Sequence, residues 1–197
     1  MVLERKQKIV RKRVKGVALF LGRFFSPNQL SFASLVFSFI CFLSFSLNHL
    51  ALGVFLALLV AFFDVFDGLV ARYKDIHSKK GDFLDHTVDR VADALVLLGL
   101  SFSKFVGIEI GFLAIIGVLM TGYVGTQAQA IGEDRVYRGI VSRPDIFFLI
   151  SLGAILTLFY SQRVYSRYLL DWMFLVLAVF SNITALQRSL IVWKELS

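Results

Sequence analysis

Apolar residues in this chain come in long runs separated by short polar stretches, not in the stripes of a soluble amphipathic helix. Six runs approach the roughly 20 residues that a helix needs to cross a bilayer. Very short connections join the first run to the second and the third to the fourth, so these neighbours must be antiparallel. The pattern predicts an all-α, polytopic membrane protein whose six transmembrane helices lie at residues 28–48, 50–73, 86–106, 108–131, 144–161 and 169–193.

The first 25 residues differ from these runs, because basic and apolar side chains alternate closely between residues 2 and 24. Such a segment is typical of an amphipathic helix lying on a membrane surface. Ser26-Pro27-Asn28 then interrupts the chain, and Pro27 suits the first turn of a new helix. We therefore expect a single domain over residues 1–197, with an interfacial helix at 1–25 and a six-helix bundle at 28–193.

Composition agrees with a bilayer protein, since 57% of the residues are hydrophobic and the mean hydropathy is +0.75. The formal net charge is +7. In a soluble protein this charge would suggest nucleic acid, but here positive-inside topology and attraction to anionic lipid explain it better. We expect no nucleic-acid partner. Cys41 is the sole cysteine, which excludes an intrachain disulfide.

The distribution of lysine and arginine gives the orientation. Eighteen of the 21 basic residues fall on one side of the predicted spans. The other side has three, Lys104, Arg163 and Arg167. Basic residues concentrate in cytoplasmic loops, so we expect a multi-pass protein of the cell membrane with both termini in the cytoplasm.

Four carboxylates gather at the predicted cytoplasmic face. Asp64 and Asp67 end the second span, and Asp85 and Asp89 open the third. Spacings of three and four residues place each pair on one helical face. Ionised carboxylates are costly in a membrane, so a compensating charge is required. A divalent metal site suits them, because Mg²⁺ and Mn²⁺ prefer oxygen ligands and Mg²⁺ is often shared with a substrate phosphate.

The alternative is that the acids form structural ion pairs with basic neighbours, namely Arg72, Lys79, Lys80 and Arg90. His77 and His86 are spaced poorly for a ligand set, and we interpret them as interfacial polar residues. Gly68 and Gly81 fit close approach of a phosphate ligand to the backbone, and Arg72 can contact that phosphate. For Gly68 and Ala71, helix packing is the alternative.

These residues form a longer pattern, Asp64-x2-Asp67-Gly68-x2-Ala71-Arg72-x8-Gly81-x3-Asp85-x3-Asp89. It resembles the signature of the CDP-alcohol phosphotransferases, and all eight fixed positions match at every spacing over 26 residues. The resemblance implies transfer of a phosphatidyl-type group from a CDP-linked lipid to an alcohol, with release of CMP. It also suggests a homodimer.

The resemblance further assigns roles to the matched positions. Asp64, Asp67 and Asp85 would hold two Mg²⁺ or Mn²⁺ ions, with Asp89 sharing in the site. Asp89 would also be the general base that takes the proton of the acceptor hydroxyl. The CDP pocket would be formed by Asp64, Gly68, Ala71, Arg72 and Gly81.

The acceptor is indicated by two other stretches. Asp89-Arg90-x2-Asp93-Ala94 and the segment 139–144 resemble the branch that uses inositol phosphate, including archaetidylinositol phosphate synthases and bacterial counterparts. We therefore expect inositol-1-phosphate as the small polar alcohol. A phosphorylated acceptor needs cations, and the candidates on the cytoplasmic side are Arg143, Arg138 and Arg135. Ordinary positive-inside charge is the alternative explanation of these arginines.

One departure from that branch bears on the acceptor. Its fourth span tends to end in arginines, whereas this chain has Gly125 and Gln127 at the corresponding positions. Lys79 and Lys80 are candidates for the missing charge. The alternative is the same chemistry with glycerol-3-phosphate or serine as the acceptor.

Proteins of other classes also gather membrane carboxylates. A divalent cation transporter would hold them near the bilayer midplane, and a membrane prenyltransferase would carry two separate Asp motifs in a longer chain. A lipid-binding module without enzymatic activity would not need four acids. CMP release from a CDP-lipid distinguishes the transferase from all three.

Overall fold

The protein is described by a computed structural model that covers residues 14–76, 78–134 and 136–196. Seven helices lie within these ranges, and the extended pairing found there is one isolated bridge between Val164 and Arg167. In chain order the helices are α1 (residues 14–24), α2 (Pro27–Ser46), α3 (Leu50–Tyr73), α4 (Lys79–Ser101), α5 (Ile108–Ala130), α6 (Arg143–Phe159) and α7 (Leu169–Glu195).

The all-α prediction is confirmed, and five of the six predicted spans agree with a helix to within two residues at each end. The third differs, because α4 begins at Lys79 and ends at Ser101 while the prediction was 86–106. Ser78 caps α4, since its hydroxyl accepts a hydrogen bond from the Gly81 amide at 3.0 Å. The first turns of α4 are polar, so a search for apolar runs misses them.

Four helices, α2, α3, α5 and α7, are long and apolar enough to cross a membrane, by length and composition. The other two predicted spans, α4 and α6, are not among the helices that satisfy these length and composition criteria. Helix α6 has 17 residues, and α4 carries the acidic stretch at its N-terminal end. The structure thus has the apolar helices of a membrane protein.

The expected interfacial helix falls partly outside the described residues, which begin at 14. Residues 14–24 are helical and lie against the end of α3. Lys74 donates a hydrogen bond from Nζ to the Gly22 carbonyl, and the Lys15 ammonium lies 5.7 Å from the centre of the Tyr73 ring. Helix α1 therefore borders the end of the bundle that carries the aspartates.

Packing leaves an opening between the two acid-bearing helix ends. Helix α2 packs along both α3 and α4, whereas α3 and α4 hardly touch each other. Helices α2, α3 and α4 form one half of the bundle, and α5, α6 and α7 form the other. The two halves meet where α4 packs against α5 and where α3 packs against α6. Small residues allow close contacts; a Cβ at Gly99 of α4 would lie 2.8 Å from the Phe42 backbone of α2.

A capping box fixes the first turn of α2, which borders the opening between α3 and α4. The Ser26 amide donates to Gln29 Oε1 at 2.8 Å, and the Gln29 amide donates to Ser26 Oγ at 3.3 Å. Pro27 occupies the first turn, as the sequence predicts. One turn later, Ser31 is buried and faces α3.

Candidate active site

Helix α3 places Asp64 and Asp67 in its last three turns, in different surroundings. Asp67 is buried, and Ser31 of α2 donates from Oγ to Asp67 Oδ2 at 2.6 Å. Asp64 faces the other half of the bundle, where it meets the start of α6. The hydroxyl of Ser31 therefore fixes the Asp67 carboxylate toward the opening between α3 and α4.

Helix α4 contributes Asp85 and Asp89, one turn apart, with His86 beside them. One ligand atom from each of these three side chains can be chosen so that all lie within 4.8 Å of one another. His86 Nδ1 is 3.8 Å from Asp85 Oδ2. The sequence interpretation kept His86 apart from the ligands, but in the structure it adjoins the acidic cluster.

Arg143, the first residue of α6, enters the acidic cluster. Its Nη1 lies 2.9 Å from Asp64 Oδ1 and 2.8 Å from Asp89 Oδ2. Its Nη2 lies 3.1 Å from Asp93 Oδ1. Asp93 is buried, and its second oxygen is 3.4 Å from Nη2 of Arg90. The Arg143 guanidinium thus joins carboxylates from α3 and α4, two helices that barely contact each other directly.

The start of α6 is held in place by its own cap. The Ser142 amide donates to Asp145 Oδ2 at 2.8 Å, and the Ser142 hydroxyl donates to the same oxygen at 2.5 Å. The preceding segment docks on α7, because the Val141 amide donates to Thr184 Oγ1 at 3.1 Å. These bonds orient Arg143 toward the aspartates.

The ion pairs differ from those that the structural alternative required. Over the described ranges, Asp64 and Asp89 pair with Arg143, and Arg90 pairs with Asp93. No carboxylate within that part of the chain forms an ion pair with Arg72, Lys79 or Lys80. Simple pairing with the nearest basic residues therefore does not account for the cluster.

A cavity of about 490 Å³ opens beside the cluster, between the α1–α2 connection, α3 and α4. Ligand pockets for small molecules are commonly 300–1,000 Å³. Arg23 and Lys74 also border it. Six of the eight positions of the sequence pattern line this cavity: Asp67, Gly68, Ala71, Arg72, Gly81 and Asp85.

The structure decides between the two interpretations of Gly68. A Cβ built there would meet no atom of the described residues within 4 Å, so Gly68 does not mediate packing among these helices. It presents bare backbone to the cavity. At Gly81 a Cβ would lie 3.1 Å from Ser78 Oγ, the atom that caps α4. Gly81 therefore serves the cap and the cavity wall together.

Residues 24–184 match the family model described as CDP-alcohol phosphatidyltransferase. The chain belongs to this family. The match spans the α1–α2 connection, both acidic helix ends and Arg143, so the family resemblance inferred from the sequence is confirmed.

Two similar relatives carry related names. An archaetidylinositol phosphate synthase of Methanothermobacter thermautotrophicus is 33% identical over 142 residues, covering 71% of this chain and 70% of that protein. A phosphatidylinositol phosphate synthase of Mycobacteroides abscessus is 30% identical over 171 residues, covering 83% of this chain and 76% of that protein. Both belong to the branch that the sequence indicates.

Solved structures of Mycobacterium tuberculosis phosphatidylinositol phosphate synthase share the fold. The form with CDP-DAG bound has a TM-score of 0.78 at 25% identity, covering 91% of this chain and 93% of that one. The form with manganese and citrate has a TM-score of 0.79 at 25% identity, covering 91% of this chain and 88% of that one. The protein is thus a CDP-alcohol phosphatidyltransferase, a transferase of phospholipid synthesis.

The donor set of this phosphatidyltransferase fits a divalent metal. Asp64, Asp67, Asp85 and Asp89 offer only hard oxygen ligands, which suit Mg²⁺ and Mn²⁺. The Asp85–Asp89 pair already lies at a spacing that one ion can bridge. The acidic cluster and the manganese-containing neighbour together support divalent metal use by the family member described here.

The predicted acceptor residues are distributed unevenly. Arg143 contacts the acids directly, whereas Lys79, Lys80 and Arg138 are exposed and reach none of them. Arg135 lies outside the described residues, as does His77. Gly125 is buried in α5 and Gln127 is exposed. Nearby, the Arg90 guanidinium lies against Gly122 so closely that a Cβ there would overlap it.

The contacts of three polar residues were not predicted from the sequence, although Asp93 belongs to a stretch that resembles the inositol-phosphate branch. Ser31 and Asp93 orient Asp67 and Arg143, respectively. Arg188 of α7 is buried and donates to three backbone carbonyls, those of Thr121 at 2.8 Å, Arg138 at 3.0 Å and Tyr137 at 3.1 Å. A charged residue inside a long apolar run indicates a functional or structural role. This signal could have identified Arg188 and Asp93 from the sequence, but Ser31 is uncharged and gives no such signal.

Proposed function

We propose that this enzyme transfers a phosphatidyl- or archaetidyl-type group from a CDP-linked lipid to inositol-1-phosphate and releases CMP. The observation that carries the proposal is the cavity of about 490 Å³ that six positions of the family pattern line, Asp67 and Asp85 among them. The names of the relatives in the same family support the phosphorylated inositol acceptor.

In this proposal the CDP group occupies the cavity. Gly68 leaves the α3 backbone open to the ligand, since no side chain intervenes. Ala71 is also small, Arg72 supplies a cation for phosphate on the exposed side, and Gly81 keeps the start of α4 open. Asp64 lies next to these residues on the side of α3 that faces the start of α6. The bound CDP-DAG of the structural neighbour supports a CDP-linked lipid as the substrate.

Asp64, Asp67 and Asp85 are proposed to hold two Mg²⁺ or Mn²⁺ ions, with Asp89 sharing in the site. When bound, such ions neutralise the diphosphate and the charge that develops on departing CMP. Ser31 assists by fixing Asp67. Outer contacts of this kind commonly set the affinity of a metal site.

Asp89 is proposed as the general base. The acceptor hydroxyl oxygen attacks the phosphorus on the lipid side of the diphosphate, and Asp89 takes the hydroxyl proton. The bond from that phosphorus to the bridging oxygen breaks, and CMP leaves with the electron pair. Asp89 lies where the cluster meets Arg143, so the acceptor would approach from the side of α6 while the CDP group lies on the side of α2.

The acceptor phosphate needs cations on that side of the cluster. Arg143 is the central candidate, and it would exchange carboxylate contacts for phosphate contacts, because its Nη1 and Nη2 now face aspartates. Arg90 adds a positive charge against α5, close to the segment where Gly125 and Gln127 replace arginines. The remaining proposed contributors are Arg138, Arg135, Lys79 and Lys80.

The proposed membrane arrangement has a single domain over residues 1–197, with six spans and both termini on the cytoplasmic side of the cell membrane. Four of the six helices satisfy length and composition criteria for a span. Helix α1 would lie on the membrane surface, where it borders the cavity through Gly22 and Arg23. A homodimer is proposed from the family resemblance.

The test is CMP release by the purified protein with Mg²⁺ and a CDP-lipid, against inositol-1-phosphate, glycerol-3-phosphate, serine and free inositol. We expect release that depends on inositol-1-phosphate. Release with glycerol-3-phosphate or serine instead would support the same reaction with a different acceptor. The replacement of arginines by Gly125 and Gln127 would explain that outcome. Absence of release with every acceptor would contradict the transferase and favour a cation transporter.

A further inference from the structure

A second charged cavity lies at the opposite end of the bundle from the aspartates. It measures about 280 Å³ and lies between the α4–α5 and α6–α7 connections. Lys104 comes from the first connection, and Arg163 and Arg167 from the second. These are the three basic residues that the sequence places on the non-cytoplasmic side. All three therefore converge on one cavity, although two separate connections supply them.

Buried contacts hold the two connections together. Arg167 Nη1 lies 2.6 Å from Asp171 Oδ2, and the other Asp171 oxygen accepts a hydrogen bond from the Gly107 amide at 2.9 Å. Asp171 is 5% exposed. The Trp172 indole donates to the Val164 carbonyl at 3.1 Å. These contacts hold the two connections against each other and fix Arg167 beside Asp171.

Two of the cations have no acidic partner among the residues that the structure describes. Lys104 Nζ lies 5.2 Å from the centre of the Phe105 ring, and the Arg163 guanidinium lies 5.1 Å from that of Tyr168. Within the described ranges, neither forms an ion pair with a carboxylate. Asp171 is the one acid among the described residues that line the cavity, and Glu109 lies close to Gly107 just outside the lining. The lining carries three positive charges and one negative charge, which suits a singly charged phosphodiester.

The surroundings of the cavity indicate that the phosphate belongs to a lipid. Large apolar side chains at the same end are strongly exposed, with 88% of Phe159, 89% of Tyr165 and 50% of Phe102 accessible. Tyrosine and tryptophan at the ends of membrane helices lie at the level of the lipid headgroups. Basic pockets between membrane helices bind anionic headgroups.

We infer that Lys104, Arg163 and Arg167 form a binding site for the phosphate of an anionic lipid in the leaflet opposite the active site. The inference goes beyond the proposed reaction and does not depend on it. The site would anchor this end of the bundle in anionic membranes, through contacts separate from the basic residues of the cytoplasmic side.

The experiment uses Trp172 as a local reporter. The full-length protein carrying Trp193→Phe, which leaves one tryptophan, is placed in phosphatidylcholine nanodiscs. A small fraction of the lipid is brominated phosphatidylglycerol or, in the matched sample, brominated phosphatidylcholine. Bromine quenches a nearby indole, so stronger quenching by the anionic lipid measures preferential binding. Lys104→Gln with Arg163→Gln is compared with Lys79→Gln with Lys80→Gln, which removes two charges at the other end.

We expect preferential quenching in the parent and in the Lys79/Lys80 variant. Each cation contributes roughly a factor of five to binding of anionic lipid, so the Lys104/Arg163 variant should lose about 25-fold in preference. Equal quenching by both lipids, or a preference unchanged in the Lys104/Arg163 variant, would overturn the inference. Inorganic phosphate is added against chloride at matched ionic strength. Because the site is inferred to hold a phosphodiester, phosphate should lower the preference more than chloride does, and equal effects of the two anions would overturn the assignment of a phosphate site.

Discussion

Substitution of Gly68 by alanine should move stability and activity in opposite directions. A Cβ at this position would meet no atom within 4 Å in the part of the chain that the structure describes, so the methyl group causes no clash there. Alanine is favoured over glycine in a helix interior by about 1 kcal/mol, which corresponds to roughly 2–4 °C in melting temperature for a domain of this size. The same methyl group enters the cavity proposed for CDP and should lower kcat/KM at least about tenfold, equivalent to about 1.4 kcal/mol.

The assay pairs thermal unfolding in detergent with CMP release from a CDP-lipid. Gly99→Ala is the matched control, because it is the same substitution in a helix where a Cβ would lie 2.8 Å from the Phe42 backbone. Overpacking of this kind typically costs about 1–3 kcal/mol. We therefore expect Gly99→Ala to lower the melting temperature and Gly68→Ala to raise it.

The reasoning is refuted if Gly68→Ala destabilises the protein as Gly99→Ala does, since Gly68 would then mediate packing. It is also refuted if Gly68→Ala releases CMP at the wild-type rate, since the α3 backbone would then not be approached by the ligand.

Three further predictions concern the acidic cluster. Arg143→Gln leaves buried carboxylates without their cation and should cost about 3–5 kcal/mol in unfolding free energy, whereas the exposed Arg138→Gln should cost little; equal melting temperatures would contradict the ion-pair assignment. Ser31→Ala removes the 2.6 Å hydrogen bond to Asp67 and should weaken metal binding about 10–100-fold, measured by Mn²⁺ titration; unchanged affinity would contradict it. EDTA should abolish CMP release and excess Mg²⁺ should restore it, while release that survives EDTA would contradict metal dependence.

Helix positions followed from hydrophobic runs wherever the helix is apolar from end to end. The prediction for α3 matches its observed bounds, Leu50–Tyr73, because apolar residues fill nearly all of it. Helix α4 begins with lysines and acids, and only the Ser78 cap marks its start. A cap is a weaker signal than a long apolar run, so the predicted start was seven residues late.

The site was predictable to the extent that its residues are neighbours in sequence. Fixed spacing on α3 and α4 placed Gly68, Asp67 and Asp85 together, and the cavity contains all three. The contact between Arg143 and Asp64 joins residues 79 positions apart. It depends on how α6 packs against α3, which no local pattern specifies. Arg143 was therefore expected to face an acceptor phosphate but not the carboxylates.

The central claim is that one site binds the CDP-lipid and that Asp89 performs a separate step, removal of the acceptor proton. Asp89→Asn tests it most directly, with equilibrium binding of a CDP-lipid and CMP release measured on the same preparation in the presence of Mg²⁺. Asn keeps the shape of the side chain but is not a base. The account predicts binding close to wild type with CMP release lost. Wild-type CMP release would contradict the assignment of Asp89 as the base, and loss of binding together with release would contradict a role separate from binding of the CDP-lipid.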